Sequence, residues 1–307
     1  MAISTVKVQI NGTWYNLNYN STTGKYEAAI TAPNITSYNV NSGHYYPVTV
    51  QAMNTAGTST TINDSDASLG NSLKLKVKEK VKPTIAITSP GNEAYVVNSK
   101  QPIVFQLRDE TNGSGIDLST LSLQIDSGTL IKNGSSGLVC TAVTGGYNCT
   151  YTPPTALSDG SHTVKINVND YDSNVAAQVI RTYTIDTVPP VLNISNPGNG
   201  FITNTAALVV QGTTNDITST AVTVTIKLNG VDQGTVTVSG GTFSKAITLA
   251  NGSNTIVIAA TDAAGKSTTV TITGTLDTSA PVIGSVSIIP NPVDTEGSVI
   301  ISVEVTG

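Results

Sequence analysis

The chain has 307 residues, 38% of them hydrophobic and 11% charged, with a formal net charge of −5. That length exceeds one small sandwich and fits three units of roughly 100 residues. The charged fraction is well below the roughly 25% of a typical soluble domain, and no basic face stands out, which argues against nucleic-acid binding.

No stretch approaches the roughly 18 apolar residues of a membrane span, so no membrane insertion is expected. The first residues, Met1 to Lys7, lack the charged start and apolar core of a secretory signal. The initiating methionine favours a protein made and used without ordinary secretion.

Near the N-terminus three alternating runs put Val6, Val8 and Ile10, then Tyr15, Leu17 and Tyr19, then Tyr26, Ala28 and Ile30 on one face of a sheet. Trp14 falls on the other face and is the candidate for contact with a host-surface glycan, while the remaining aromatics of this region read as packing or interface. Lys74 to Lys80 alternates lysine with apolar residues, as a strand with one wet face does.

Pro83-Thr84-Ile85-Ala86-Ile87-Thr88-Ser89-Pro90-Gly91-Asn92 returns as Pro190-Val191-Leu192-Asn193-Ile194-Ser195-Asn196-Pro197-Gly198-Asn199, and more loosely from Pro281 to Asn291. From Pro83 to Pro190 is 107 residues, and from Pro190 to Pro281 is 91, each about one sandwich long. Proline there lacks a donor and ends one ladder. Between the repeats run short alternating segments with turn signals, such as Val222 to Leu228 followed by Asn229-Gly230. The fold class is all-β: tandem immunoglobulin-like sandwiches in a rod.

The segment Asn254-Thr255-Ile256-Val257-Ile258-Ala259-Ala260-Thr261-Asp262-Ala263-Ala264-Gly265-Lys266, then a strand and Asp277-Thr278-Ser279-Ala280-Pro281, resembles the bacterial Ig-like family; Pro47 to Gly57 and His162 to Asp172 are similar passages. The resemblance implies tandem units of the kind found in Gram-positive surface proteins and tailed-phage virion proteins. It speaks to fold far more than to function.

The expected division is 1–82, a unit lacking its first two strands; 83–188 and 189–279, complete units; and 280–307, two strands alone. Val299, Ile301, Val303 and Val305 alternate on one face of that last segment, as a covering strand should. Its expected partner is the Val6, Val8, Tyr15 and Leu17 face of another copy, head to tail, or a different virion protein. The alternatives are a first unit that is a complete smaller sandwich, or a truncated chain.

Cys140 and Cys149 flank a Thr144-Gly145-Gly146 turn, which leaves a cross-strand disulfide and free thiols both open. Asp109, Glu110 and Asp117, with Asp170 and Asp172, are candidate Ca²⁺ ligands at one end of a sandwich, although acidic residues also serve as ordinary turn formers. No other cofactor is expected. His44 and His162 have no triad partners nearby, and no catalytic residue is expected. The reading is a structural virion or fibre protein of a phage-like particle, a spacer, decoration or attachment element. A secreted adhesin or accessory carbohydrate-binding module is the alternative.

Overall fold

A computed structural model describes residues 2–32, 36–219 and 221–307. The chain forms two compact units, Met1–Ile185 and Asp186–Gly307. Among the described residues there is no α-helix, and hence no helix long and apolar enough to cross a membrane.

In Met1–Ile185 the first sheet runs in the order Lys25–Glu27, Thr13–Asn20, Ile3–Ile10, Tyr46–Asn54, Ser59–Ile62, with Lys74–Leu75 pairing to Tyr46–Asn54. Of the alternating lysine run only Lys74–Leu75 is strand. The residues after it extend towards the next sandwich, which corrects the reading of a full strand.

The second part of this unit is a two-sheet sandwich. One sheet orders Ile131–Lys132, Ile116–Ile125, Gly160–Asp170, Val179–Ile185 and Ala94–Val96; the other orders Leu138–Val143, Gly146–Tyr151, Ile103–Arg108 and Thr84–Ser89. Alternation along each strand sends Ile103, Phe105, Leu107, Leu123, Val164 and Ile166 into a core where all are fully buried.

Asp186–Gly307 repeats the plan. Val191–Asn196, Ala207–Asn215, Thr242–Thr248 and Val238–Ser239 form one sheet. Phe201–Thr203, Ser267–Leu276, Gly252–Thr261, Thr223–Leu228 and Val231–Asp232 form the other. Asn229 (φ 52°) and Gly230 (φ 84°) close the tight turn that their positive φ angles require. Val282–Ile289 and Ile300–Thr306 make a separate two-stranded sheet that pairs with no other described strand.

Candidate functional site

Two sheet faces stand apart from the closed cores. In the hairpin, Val305 lies opposite Ile283, Val303 opposite Val286, and Ile301 opposite Ile288, so one face is wholly apolar. The other face carries Ser285, Ser287, Ser302 and Glu304 in its middle, with Val282 at one end and Ile289 and Ile300 at the other. Ile283 is 66% exposed and Val305 56%, whereas Leu192 and Val210 on the corresponding strands of the preceding sandwich are 7% and 0% exposed. Val299, just before the second strand, is exposed as well.

The first sheet is also incompletely covered. Val6 pairs with Leu17 and Ala52, and Val8 with Tyr15 and Val50, which assembles one apolar face. Val48, Val50 and Ala52 are half-buried, whereas Ile256, Ile258 and Ala260 at the same places in the last sandwich are fully buried. Tyr19, expected to point into a core, stacks obliquely on Tyr26 at 5.4 Å and remains 60% exposed. No opposing layer reaches it among the described residues. Trp14 is on the opposite face and exposed, without a second ring beside it among the described residues.

The acidic residues separate into roles. Asp117 accepts from Ser119 N and Oγ and caps its own turn, outside any cluster. The Asp172 carboxylate accepts from Asn39 Nδ2 (2.9 Å) and from Glu79 N (3.0 Å), and its carbonyl accepts from Lys78 Nζ (3.1 Å). It therefore pins the segment after the first sheet to the second sandwich. Neither Asp117 nor Asp172 falls in an acidic trio among the described residues, and both Asp172 oxygens already accept hydrogen bonds from distant parts of the chain.

Asp109 and Asp170 do come together, but with Glu79, which sequence reasoning missed; their oxygens lie within 4.8 Å of one another. Glu110 stands beside them with its Oε2 buried and unpartnered, as is Asp109 Oδ1. Burial pushes the Glu79 carboxyl up to about 7, aided by its hydrogen bond with Asp170 and the neighbouring charges. Burial likewise pushes Asp109 up to about 6, against the Gly115 N–H that it accepts at 2.6 Å. Asn174 Nδ2 donates at 2.7 Å to both Glu79 and Asp170, so an amide fastens two of the three acids.

A second trio, Asp186, Asp216 and Asp262, meets the same distance criterion and is almost wholly buried. The signal that predicts both trios is a repeated spacing. An acid stands four residues before Pro83 and before Pro190, and another follows it after 30 residues, Glu79 to Asp109 and Asp186 to Asp216.

Cys140 and Cys149 are directly opposed across Leu138–Val143 and Gly146–Tyr151 and form a disulfide, with Cys149 fully buried. His162 lies inside a strand and bonds Asp126 (2.8 Å) and the Ser158 carbonyl (2.8 Å), a structural arrangement with no nucleophile in it. His44 sits in a turn at φ 58° and bonds the Asn39 carbonyl.

Residues 108–187 match the bacterial Ig-like domain family, and residues 190–278 match domain B of glucodextranase. The chain is a tandem Ig-like protein. It is similar to bacillopeptidase F of Bacillus subtilis (strain 168), with 34% identity over 113 residues, 37% of this chain. The tandem Ig-like chain spans 7% of the length of that relative. Among solved structures it is similar to the tetra-tandem repeat in the extending region of a large adhesion protein, at 16% identity and TM-score 0.34, covering 99% of this chain and 80% of that one. It is similar also to a 1.5-MDa bacterial ice-binding adhesin, at 22% identity and TM-score 0.30, covering 90% and 88%. The fibronectin(III)-like modules of Clostridium thermocellum CbhA match at 14% identity and TM-score 0.39, covering 63% and 94%.

Proposed function

We propose that this tandem Ig-like protein is a non-enzymatic structural element of a virion or surface fibre that links to its neighbours by strand complementation. The observation that carries the reading is the hairpin of Val282–Ile289 and Ile300–Thr306, whose apolar face is open along its whole length. An isolated two-stranded sheet is marginal in water. Covering apolar surface contributes about 25 cal/mol per Å². The first sheet of a second copy, where Val6, Tyr15 and Leu17 are only partly covered beside the buried Val8, offers a face of matching chemistry. Contact between two different surfaces of one chain is heterologous and builds rings or filaments. The Cys140–Cys149 disulfide suits an oxidising exterior.

The test compares the 307-residue chain with one lacking residues 282–307 by sedimentation and negative-stain imaging. Rings or filaments lost on deletion are the expected result. A full chain that stays monomeric at high concentration refutes self-complementation, and hetero-complexes recovered only with particle proteins would move the partner to another chain. Finding the protein in purified particles rather than in the cell-wall fraction would favour the virion over the bacterial surface.

A further inference from the structure

We propose that Asp186, Asp216 and Asp262 form a Ca²⁺ site in the Asp186–Gly307 unit. The three residues come from separate parts of one end of the sandwich. Asp186 precedes Val191–Asn196, Asp216 follows Ala207–Asn215, and Asp262 follows Gly252–Thr261. They are 0%, 6% and 6% exposed, and one oxygen of each lies within 4.8 Å of the others. Ca²⁺ binds oxygens at about 2.3–2.6 Å, so two ligands of one ion stand no more than about 5 Å apart. The trio fits that limit.

Both oxygens of Asp186 accept hydrogen bonds, whereas Asp262 is held through one oxygen and leaves the other unpartnered. Asp186 Oδ1 accepts from Val188 N (3.3 Å), and its Oδ2 from Ser219 Oγ (2.6 Å). Asp216 Oδ1 accepts from the N–H groups of Thr218 (2.8 Å) and Ser219 (2.6 Å). Asp262 Oδ1 accepts from Lys266 N (2.8 Å). Asp262 Oδ2 is buried with no hydrogen-bond partner, and among the described residues no Lys, Arg or His forms an ion pair with any of the three. An orphaned carboxylate oxygen in this surrounding is costly. A divalent cation answers that cost where a single N–H cannot, because it satisfies all three acids at once.

The ligand set selects the ion. Carboxylate oxygens without nitrogen or sulfur suit hard cations. Loops of differing length supply them, which suits the adaptable shell of Ca²⁺ better than the strict octahedron of Mg²⁺. Binding would tie the segment leading into the first strand to the loops after Ala207–Asn215 and Gly252–Thr261.

The test uses the full chain stripped with EDTA and titrated with CaCl₂ by calorimetry, beside thermal melts with and without the ion. Wild type should take up Ca²⁺ and melt higher. Asp262→Asn and Asp216→Asn should each lose one site per chain or bind at least tenfold more weakly at it. In EDTA, Asp262→Asn should melt no lower than wild type, since the change relieves repulsion; in Ca²⁺ it should melt lower. Because the two variants alter different loops, misfolding of one leaves the other as the test. Unchanged calcium binding in a folded variant overturns the site, as does a wild-type chain indifferent to Ca²⁺ up to about 5 mM, above the weakest affinities of extracellular modules. Equal stabilisation by Mg²⁺ overturns the choice of ion.

Discussion

Replacing Glu79 by Gln should flatten the pH dependence of stability of Met1–Ile185. The Glu79 carboxyl is pushed from 4.5 to about 7, first by burial and then by its hydrogen bond with Asp170. A value raised on folding means that the folded chain holds the proton more tightly than the unfolded one. The stabilisation is therefore complete below about pH 4.5 and is lost as pH rises through about 7. A shift of about 2.5 units at about 1.4 kcal/mol per unit sets a ceiling of about 3.4 kcal/mol. Half-exposure and solvent screening reduce that to about 1–2 kcal/mol. Asp109, raised to about 6 for the same leading reason, adds a contribution of the same sign. The carboxyls of Asp66 and Asp277, lowered by hydrogen bonds, act at lower pH and leave the window clear. Urea unfolding in EDTA at about pH 5 and about pH 8 measures the difference. Wild type should lose stability on going up, and Glu79→Gln should lose distinctly less. A wild-type stability that rises over that interval, or a slope that survives undiminished in the variant, refutes the reasoning.

Three further outcomes follow from the burial pattern. Ile258→Ala, in a closed core at 0% exposure, should cost about 3–4 kcal/mol, whereas Val50→Ala, at the equivalent place on the half-covered first sheet, should cost under about 1 kcal/mol in the dilute chain; chemical denaturation read separately for the two regions decides this. Reducing Cys140–Cys149, which closes a loop with a sequence separation of 9, should destabilise the second sandwich by about 2 kcal/mol, seen as a lower urea midpoint in dithiothreitol that Cys140→Ser with Cys149→Ser no longer shows. Val303→Asp puts a charge at the middle of the hairpin's apolar face and should abolish self-association while leaving the melting of the two sandwiches unchanged, which sedimentation and calorimetry together check.

The sandwich architecture was legible because its causes are local. Strict alternation in Val222 to Leu228 and Asn254 to Thr261 dictates strands with one buried face, and Asn229-Gly230 dictates a tight turn. Burial on the first sheet was less legible. Alternation shows which way Tyr19 points but not whether a layer lies opposite, and the ring is exposed because none of the described strands covers it. Glu79 escaped notice for a related reason. Its lysine-rich surroundings have the period of a strand, yet the run after Leu75 leaves the sheet and carries the carboxylate to Asp109 and Asp170.

The acidic sites show how one loop design is adapted three times. Asn54 and Asp170 end a long strand and Asp262 directly follows one, and each accepts through Oδ1 from the backbone N–H four residues on, at Thr58, Asn174 and Lys266. That contact fixes the loop and can be made by an amide or an acid alike. The second oxygen distinguishes them. At Asp170 it meets the Asn174 side-chain amide, which also reaches Glu79, so two acids share one donor and the remaining strain appears as raised proton affinity. At Asp262 the fourth residue is Lys266, which has no amide to offer, and Oδ2 stays buried without a partner. The Asn54 loop carries no such charge at all. The same backbone turn thus supports a neutral cap, a proton-sensitive joint or a cation site, and the side chains around the second oxygen decide which.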